Sequence, residues 1–156
     1  MKLFNRILIA NRGEIAVRII KSARKLGIKT VAIFSKADED ALHVRMADES
    51  VFLDEGDTPG NLSETYLNVD KIINAALQTK ADAIHPGYGF LSESPLLVDA
   101  CEKNNISFIG PNVKSIELMG NKIEARAFVK SLGIPMTEGI NGSPDELLKN
   151  AHKIKL

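Results

Sequence analysis

Ile7-Leu8-Ile9-Ala10-Asn11-Arg12-Gly13-Glu14-Ile15-Ala16 is the stretch whose reading decides the fold. Its first four residues form a continuous apolar run, the pattern of a strand buried on both faces of a parallel sheet, and the run ends at the polar cluster Asn11–Glu14. A helix follows. Ile15, Ala16, Ile19, Ile20, Ala23 and Leu26 keep to one side of it, Arg18, Lys21, Ser22 and Lys25 make a polar stripe, and Gly27 supplies a left-handed stop. Thr30–Phe34 is a second β-branched, apolar run, which completes a strand–helix–strand unit with a right-handed crossover.

The alternation continues along the chain. A short helix around Leu42–Ala47 precedes a weak strand, Val51–Leu53, and the segment Asp54–Glu64 carries the turn signal Pro59-Gly60. Val69, Ile72, Ile73, Ala76 and Leu77 have the spacing of one helical face. Ala81–His85 reads as a strand, Leu97, Ala100 and Cys101 mark a helix, and Ser107-Phe108-Ile109 is a further strand closed by Gly110-Pro111. Strands alternating with helices predict an α/β fold, a doubly wound parallel sheet over roughly residues 5–111. From Val113 the texture is helical, with Ile116–Met119 and then Ala125, Phe128, Val129 and Leu132 at helical spacing before Gly133. The remainder predicts a short strand near Met136, a turn at Asn141-Gly142-Ser143-Pro144 and a helix from Asp145, and it stops without a cap in Lys153–Leu156. A helix left with part of its apolar face unassigned suggests a chain cut inside a second domain; the other reading is a natural end with a frayed helical terminus.

At 156 residues, 44% hydrophobic and 26% charged, the composition is that of an ordinary globular protein with no disordered tract. Cys101 is the single cysteine, so no internal disulfide and no thiolate zinc site are available, and a reducing cytoplasm is the simplest compartment. The apolar run after Met1–Arg6 is too short for a signal peptide, and no stretch reaches the ~18 apolar residues of a membrane span. Twenty basic and twenty acidic residues cancel, which argues against nucleic acid as a partner. The charges are nevertheless segregated: residues 1–30 hold eight Lys/Arg against Glu14, and residues 38–70 hold ten Asp/Glu against Arg45.

In open α/β sheets ligands bind beyond the carboxyl ends of the strands, which singles out Asn11–Glu14, Ser35–Lys36, His85–Phe90 and Gly110–Pro111. The first of these has one glycine where a dinucleotide loop needs three, so a pyrophosphate cradle is disfavoured. Arg12 can bind an anion there, or form an ion pair with Glu14 or another acid at the sheet edge. His85-Pro86-Gly87-Tyr88-Gly89-Phe90-Leu91-Ser92-Glu93 is the most unusual stretch. Pro86 extends His85, and the glycines flanking Tyr88 permit backbone angles that seat its ring as a ligand platform; the other reading is a tight turn whose Tyr88 and Phe90 pack on the core. His43, His85 and His152 are scattered, so neither a triad nor a metal site is indicated. Asn121 and Glu124 have capping-box spacing, which puts Lys122 in a first helical turn, where a cation opposes the helix dipole unless an anion sits there too. A phosphate would reconcile the two, although the row Lys122, Arg126, Lys130 also reads as a solvated face.

Four motifs in this order and spacing, Ile9–Ala16, His85–Glu93, Phe108-Ile109-Gly110-Pro111 and Met119-Gly120-Asn121-Lys122, make the chain resemble the biotin carboxylase family over nearly its whole length. The resemblance implies a Rossmann-like pre-ATP-grasp domain over residues 1–112, followed in 113–156 by linker helices and the first elements of an incomplete ATP-grasp domain. It implies the ligase component that uses MgATP and bicarbonate, through carboxyphosphate, to carboxylate N1′ of carrier-bound biotin, with acetyl-CoA, propionyl-CoA or pyruvate as the final acceptor. Lys122 matches the family's early ATP-phosphate lysine, Tyr88, Gly89 and Phe90 match the segment near biotin, and Arg18 and Lys21 fall on the helix of the homodimer contact. The partners so implied are the remainder of the carboxylase chain, the biotin carboxyl carrier protein and the carboxyltransferase component.

Two positions depart from the family pattern. Asn121 stands where many members have Asp, which leaves the cap intact, and Lys25 stands where some have an acid, removing a cross-dimer partner. The phosphate lid, the carboxylates that hold Mg2+ and the groups acting on bicarbonate and biotin lie, in the family, beyond the stretch that residues 1–156 match. No catalytic residue and no metal ligand is therefore expected here, nor tight binding of ATP, Mg2+ or biotin by residues 1–156 alone. The alternative is a free-standing, non-catalytic binding or assembly module of a carboxylase complex.

Overall fold

The computed structural model describes residues 4–54, 60–137, 139 and 142–150, which fall into two compact units, Met1–Ile116 and Glu117–Leu156. In the first unit β1 (Arg6–Ile9) leads through α1 (Gly13–Lys25) to β2 (Lys29–Phe34), and a short 3-10 turn at Lys36–Asp38 and α2 (Leu42–Met46) lead to β3 (Glu49–Phe52). The chain then runs through α3 (Val69–Gln78), β4 (Ala83–His85), α4 (Pro95–Lys103) and β5 (Ser107–Phe108), and the unit ends inside α5 (Val113–Gly120). All five strands are parallel, in the order β3-β2-β1-β4-β5. That is the doubly wound arrangement, and the order reverses beside β1.

The central strands carry the apolar runs Ile7–Ile9, Val31–Phe34 and Ala83-Ile84 because both faces of the sheet are covered. On one face Leu8, Val31, Ile33 and Ile84 pack with Ile72, Ile73 and Ala76 of α3 and with Leu97 and Cys101 of α4. On the other, Ile7, Ile9 and Ala83 pack with Ala16, Ile20 and Ala23 of α1. Each fully buried Leu or Ile contributes roughly 1.5–3 kcal/mol, so these two layers dominate the unit's stability. Gly27 has φ +70°, the left-handed turn that stops α1.

Three expectations are corrected. Leu26 caps the end of α1 and is 68% exposed, and Leu77 is also exposed while Ala75 takes the buried place on α3, since the apolar face has rotated away from the last turn in each case. The short strand near Met136 does not form among the described residues: residues 134–137 are irregular. The turn signal at Pro59 and the segments at Asn141 and Lys153–Leu156 lie outside the described residues.

In the second unit α6 (Lys122–Ser131) and α7 (Pro144–Asn150) are both set by their first turns. Asn121 Oδ1 accepts from the N–H groups of Ile123 (3.0 Å) and Glu124 (3.3 Å). The Asn121 N–H itself donates to the Glu117 carbonyl (3.4 Å), so Asn121 caps alone and the return half of the expected box is taken over by the preceding turn. Before α7 the box is complete: Ser143 donates through N and Oγ to Glu146 Oε2 (2.8 and 2.9 Å), and the Glu146 N–H returns to Ser143 Oγ (3.4 Å).

Candidate functional site

The carboxyl ends of β1, β2 and β4 bring three loops together. Backbone pairing continues past β1, with the Ala10 N–H donating to the His85 carbonyl (2.9 Å), so the chain after β1 and the chain after β4 leave the sheet side by side. Asn11 lies between them, only 1% exposed. Its Nδ2 donates to the carbonyls of Pro86 (2.8 Å) and Tyr88 (3.0 Å), and its Oδ1 accepts from the Arg12 N–H (3.0 Å). An amide is the side chain that can donate twice and accept at the same place.

The loop held in this way is conformationally costly. Gly87 and Gly89 have φ +68° and +66°, and Phe90 follows at φ +42°, a region that a bulky residue enters at a cost of about 1–3 kcal/mol. Glycine at 87 has a second reason. A Cβ there would lie 2.7 Å from Asn11 Nδ2 and 2.8 Å from Ile15 Cγ2, whereas one at Gly89 would meet open space. The Gly87 N–H donates to His85 Nδ1 (3.0 Å), and burial pushes the His85 imidazole below its ordinary pKa, so at neutral pH it is an uncharged acceptor.

The two aromatic residues of this loop divide between the readings offered above. Tyr88 is 63% exposed, a flat ring on a fixed backbone, while Phe90 turns inward and stacks on Tyr66 at a centroid distance of 5.4 Å and an interplanar angle of 17°. Asn11, Arg12, Gly13, Glu14, Ile15, Tyr88, Gly89 and Phe90 together line an open cleft of about 460 Å³.

Arg12 is engaged by an acid other than Glu14. Its guanidinium forms a two-point pair with Asp38, Nε to Oδ2 at 2.7 Å and Nη2 to Oδ1. The Tyr66 hydroxyl donates to Asp38 Oδ2 (2.6 Å) and accepts from the Ser35 N–H (3.2 Å). Burial alone would push the Asp38 carboxyl up, but the bonds from Arg12 and Tyr66 outweigh it and hold the group below its usual range. The Tyr66 hydroxyl is pushed well above its usual value, first by burial and then by its bond to Asp38, so it remains a donor. His43, fully buried beside this cluster, is lowered by burial; its Nε2 lies 3.3 Å from the Ile33 carbonyl and its Nδ1 has no partner among the described residues.

Sequence reasoning singled out Tyr88, Gly89 and Phe90, and the structure gathers them with Asn11–Ile15 on one edge. It missed Asp38 and Tyr66. Asp38 follows β2 at the carboxyl end of the sheet, which was the available signal; Tyr66 sits in the connection between β3 and α3 with no periodicity to mark it. Arg18 and Lys21 are exposed on α1, and Arg18 borders an apolar groove of about 400 Å³ formed with Ile15, Ile19, Tyr88 and Ile109. Lys122 belongs to the second unit and is exposed in the first turn of α6; Arg126, one turn further on, donates to the Thr137 carbonyl (2.7 Å). Among the described residues no group of three or more His, Cys, Asp or Glu is gathered as a metal would require, and no helix is long and apolar enough to cross a membrane.

A 3-2-1-4-5 parallel sheet with an open cleft at its strand ends defines a doubly wound α/β domain. The sequence profile of the biotin carboxylase N-terminal domain matches residues 3–116, and the chain belongs to that family. Biotin carboxylase 2 of Bacillus subtilis is 49% identical over 141 residues, which are 90% of this chain and 31% of that protein. The chloroplastic biotin carboxylase of Arabidopsis thaliana is 45% identical over 153 residues, 96% of this chain and 28% of that one. Among solved structures, the biotin carboxylase domain dimer of Hydrogenobacter thermophilus 2-oxoglutarate carboxylase, in complex with MgADP, ADP and bicarbonate, superposes with a TM-score of 0.88 at 42% identity. It covers 100% of this chain, which in turn spans 34% of it. The chain thus spans under a third of the length of these two curated relatives.

Proposed function

We propose that this chain is the amino-terminal part of a biotin carboxylase, the ligase component that uses MgATP and bicarbonate to carboxylate biotin on a carrier protein. The observation that carries this reading is the fixed, outward-facing Tyr88 at the strand ends, held by Asn11 in a chain that belongs to this family. In that reaction MgATP supplies the phosphoryl group that activates bicarbonate, and biotin N1′ receives the carboxyl group as phosphate leaves.

The residues present suit these groups. Tyr88 offers an exposed aromatic face on an immobilised backbone beside Ile15, and Gly89, with open space where a Cβ would be, lets a flat, weakly polar ring approach the main chain. Tyr88, Gly89 and Phe90 are the biotin-proximal segment in this reading. Lys122 presents its ammonium at the first turn of α6, where the side chain of Asn121 already occupies the N–H groups of Ile123 and Glu124, so an ATP phosphate there would meet a positioned point charge. Arg18 and Lys21, exposed on α1, are assigned to a contact between two copies. Residues 1–112 form the pre-ATP-grasp domain and residues 113–156 open the ATP-grasp domain. The working location is the cytoplasm, and the partners are the carrier protein and the carboxyltransferase component.

Residues 1–156 alone are proposed to fold without turning over, because phosphoryl transfer needs phosphates and metal positioned together and the described residues gather no metal-binding carboxylates. The test is phosphate release by the purified chain with MgATP, bicarbonate and free biotin. No release is expected. Turnover abolished by Lys122→Ala would refute the inactivity of the chain and relocate the chemistry within it.

A further inference from the structure

We propose that Asp38 is a positioning residue for the Tyr88–Phe90 segment, closing a ring of contacts that grips this segment at both ends. The ring can be followed atom by atom. At one end the Tyr88 carbonyl accepts from Asn11 Nδ2 (3.0 Å), and Asn11 Oδ1 accepts from the N–H of Arg12 (3.0 Å). The Arg12 side chain then crosses to Asp38, pairing at two points. Asp38 Oδ2 accepts from the Tyr66 hydroxyl (2.6 Å), and the Tyr66 ring stacks on Phe90, two residues beyond the start. The Arg12 guanidinium also lies over the Tyr66 ring, 5.8 Å from its centroid, so both Asp38 partners brace each other.

Three features make Asp38 the closing element. It hydrogen-bonds both to the half of the ring that begins at Asn11 and to the half that begins at Phe90, and it is buried, with 8% of its side chain exposed, so water does not substitute easily for either bond. The segment needs an external clamp, because Gly87, Gly89 and Phe90 all sit at positive φ and Phe90 has no intrinsic preference for that region. Finally, Asp38 is far in sequence from the segment it controls and does not line the cleft beside it. It acts through Arg12 and Tyr66 and not on a ligand.

This inference rests on the biotin reading only for its consequence in turnover; the mechanical claim stands on this chain alone. The chain contains two tyrosines and no tryptophan, so selective 13C labelling of tyrosine and phenylalanine rings gives a simple spectrum by NMR. In Asp38→Asn and, separately, in Tyr66→Phe, which keeps the ring and removes the hydroxyl, we expect loss of cross-relaxation between residues 66 and 90 and a shifted Tyr88 ring signal. Methyl signals of Leu8 and Ile84 should stay in place, showing that the sheet is intact. The double variant should do no more than either single one, since a ring opened once is open. Unchanged 66–90 contacts and an unmoved Tyr88 signal in both variants would overturn the proposal.

The second measurement uses a full-length carboxylase carrying these residues. There Asp38→Asn is expected to raise the KM for free biotin at least fivefold while bicarbonate-dependent ATP hydrolysis without biotin stays within twofold. Altered ring signals with an unchanged biotin KM would support the positioning role and overturn the assignment of the segment to biotin.

Discussion

Ile20 and Ile123 both sit on helices with one apolar side, yet Ile20 is completely buried and Ile123 is 60% exposed. The contrast holds for the units around them. Every helix of the α/β unit from α1 to α4 buries residues, whereas neither α6 nor α7 has a buried residue. α1 exists because Ala16, Ile20 and Ala23 remove apolar surface from water against the sheet; α6 and α7 rest on side-chain caps, Asn121 and the Ser143–Glu146 box. A cap contributes about 0.5–2 kcal/mol, far below what a packed face supplies, so periodicity predicts a helix equally well in both units but not how firmly it is held.

Amide hydrogen exchange should show the largest difference. Amides of Leu8, Val31 and Ile84 are expected to exchange only through global unfolding, of the order of 5–15 kcal/mol for a domain, while those of α6 open with free energies near zero to about 2 kcal/mol. Equal protection in the two units would break the comparison. Next in size are the substitutions at the cleft. Asn11→Ala strands two carbonyls and one N–H in a buried place, an expected loss on the order of 2–4 kcal/mol in urea unfolding. Gly87→Ala should also cost several kcal/mol, by φ and by collision with Asn11 and Ile15, whereas Gly89→Ala, free of collisions, is expected to cost only about 1–2 kcal/mol. Similar losses at the two glycines would contradict the fixed geometry.

Smaller still is the pH effect. His43 and His85 are both lowered by burial, so below the unfolded value of about 6.5 the unfolded chain binds protons that the native one does not, and stability present above that pH falls as the pH drops. A melting temperature lower by a few degrees at pH 5.5 than at pH 7.5 is expected, with the difference reduced in His43→Gln. A further loss belongs below about pH 4, where Asp38 and Asp48, whose carboxyls are held low, are forced to protonate. The smallest effect is Asn121→Ala, expected to lower the helicity of α6 while leaving the unfolding of the α/β unit unchanged.

Much of this was legible in the residues. The run Ile7–Ala10, the helix stop at Gly27 and the β-branched run before Phe34 are local signals with one structural solution, and they carried the sheet and its parallel sense. The glycines around Tyr88 marked the cleft because positive φ is written in residue type. What holds that cleft was not legible. Asp38 meets Arg12 across 26 positions and Tyr66 across 28, and such pairings follow from where β2 ends and α3 begins in space and not from any spacing along the chain. The exposure of Leu26 and Leu77 was hidden for a related reason: a helical wheel gives the direction of a side chain, while the extent of the surface beneath it is set by the sheet.

The central claim is that the edge built by Asn11 and Tyr88 faces biotin in the assembled carboxylase. It is tested most directly by Tyr88→Ala in a full-length enzyme carrying residues 1–156, with two rates measured side by side: carboxylation as a function of free biotin, and bicarbonate-dependent ATP hydrolysis without biotin. The account predicts a KM for biotin raised by about tenfold, the ~1.4 kcal/mol expected of a lost aromatic contact, and an unchanged biotin-free rate. A proportional fall in both rates, or an unchanged KM for biotin, would contradict it.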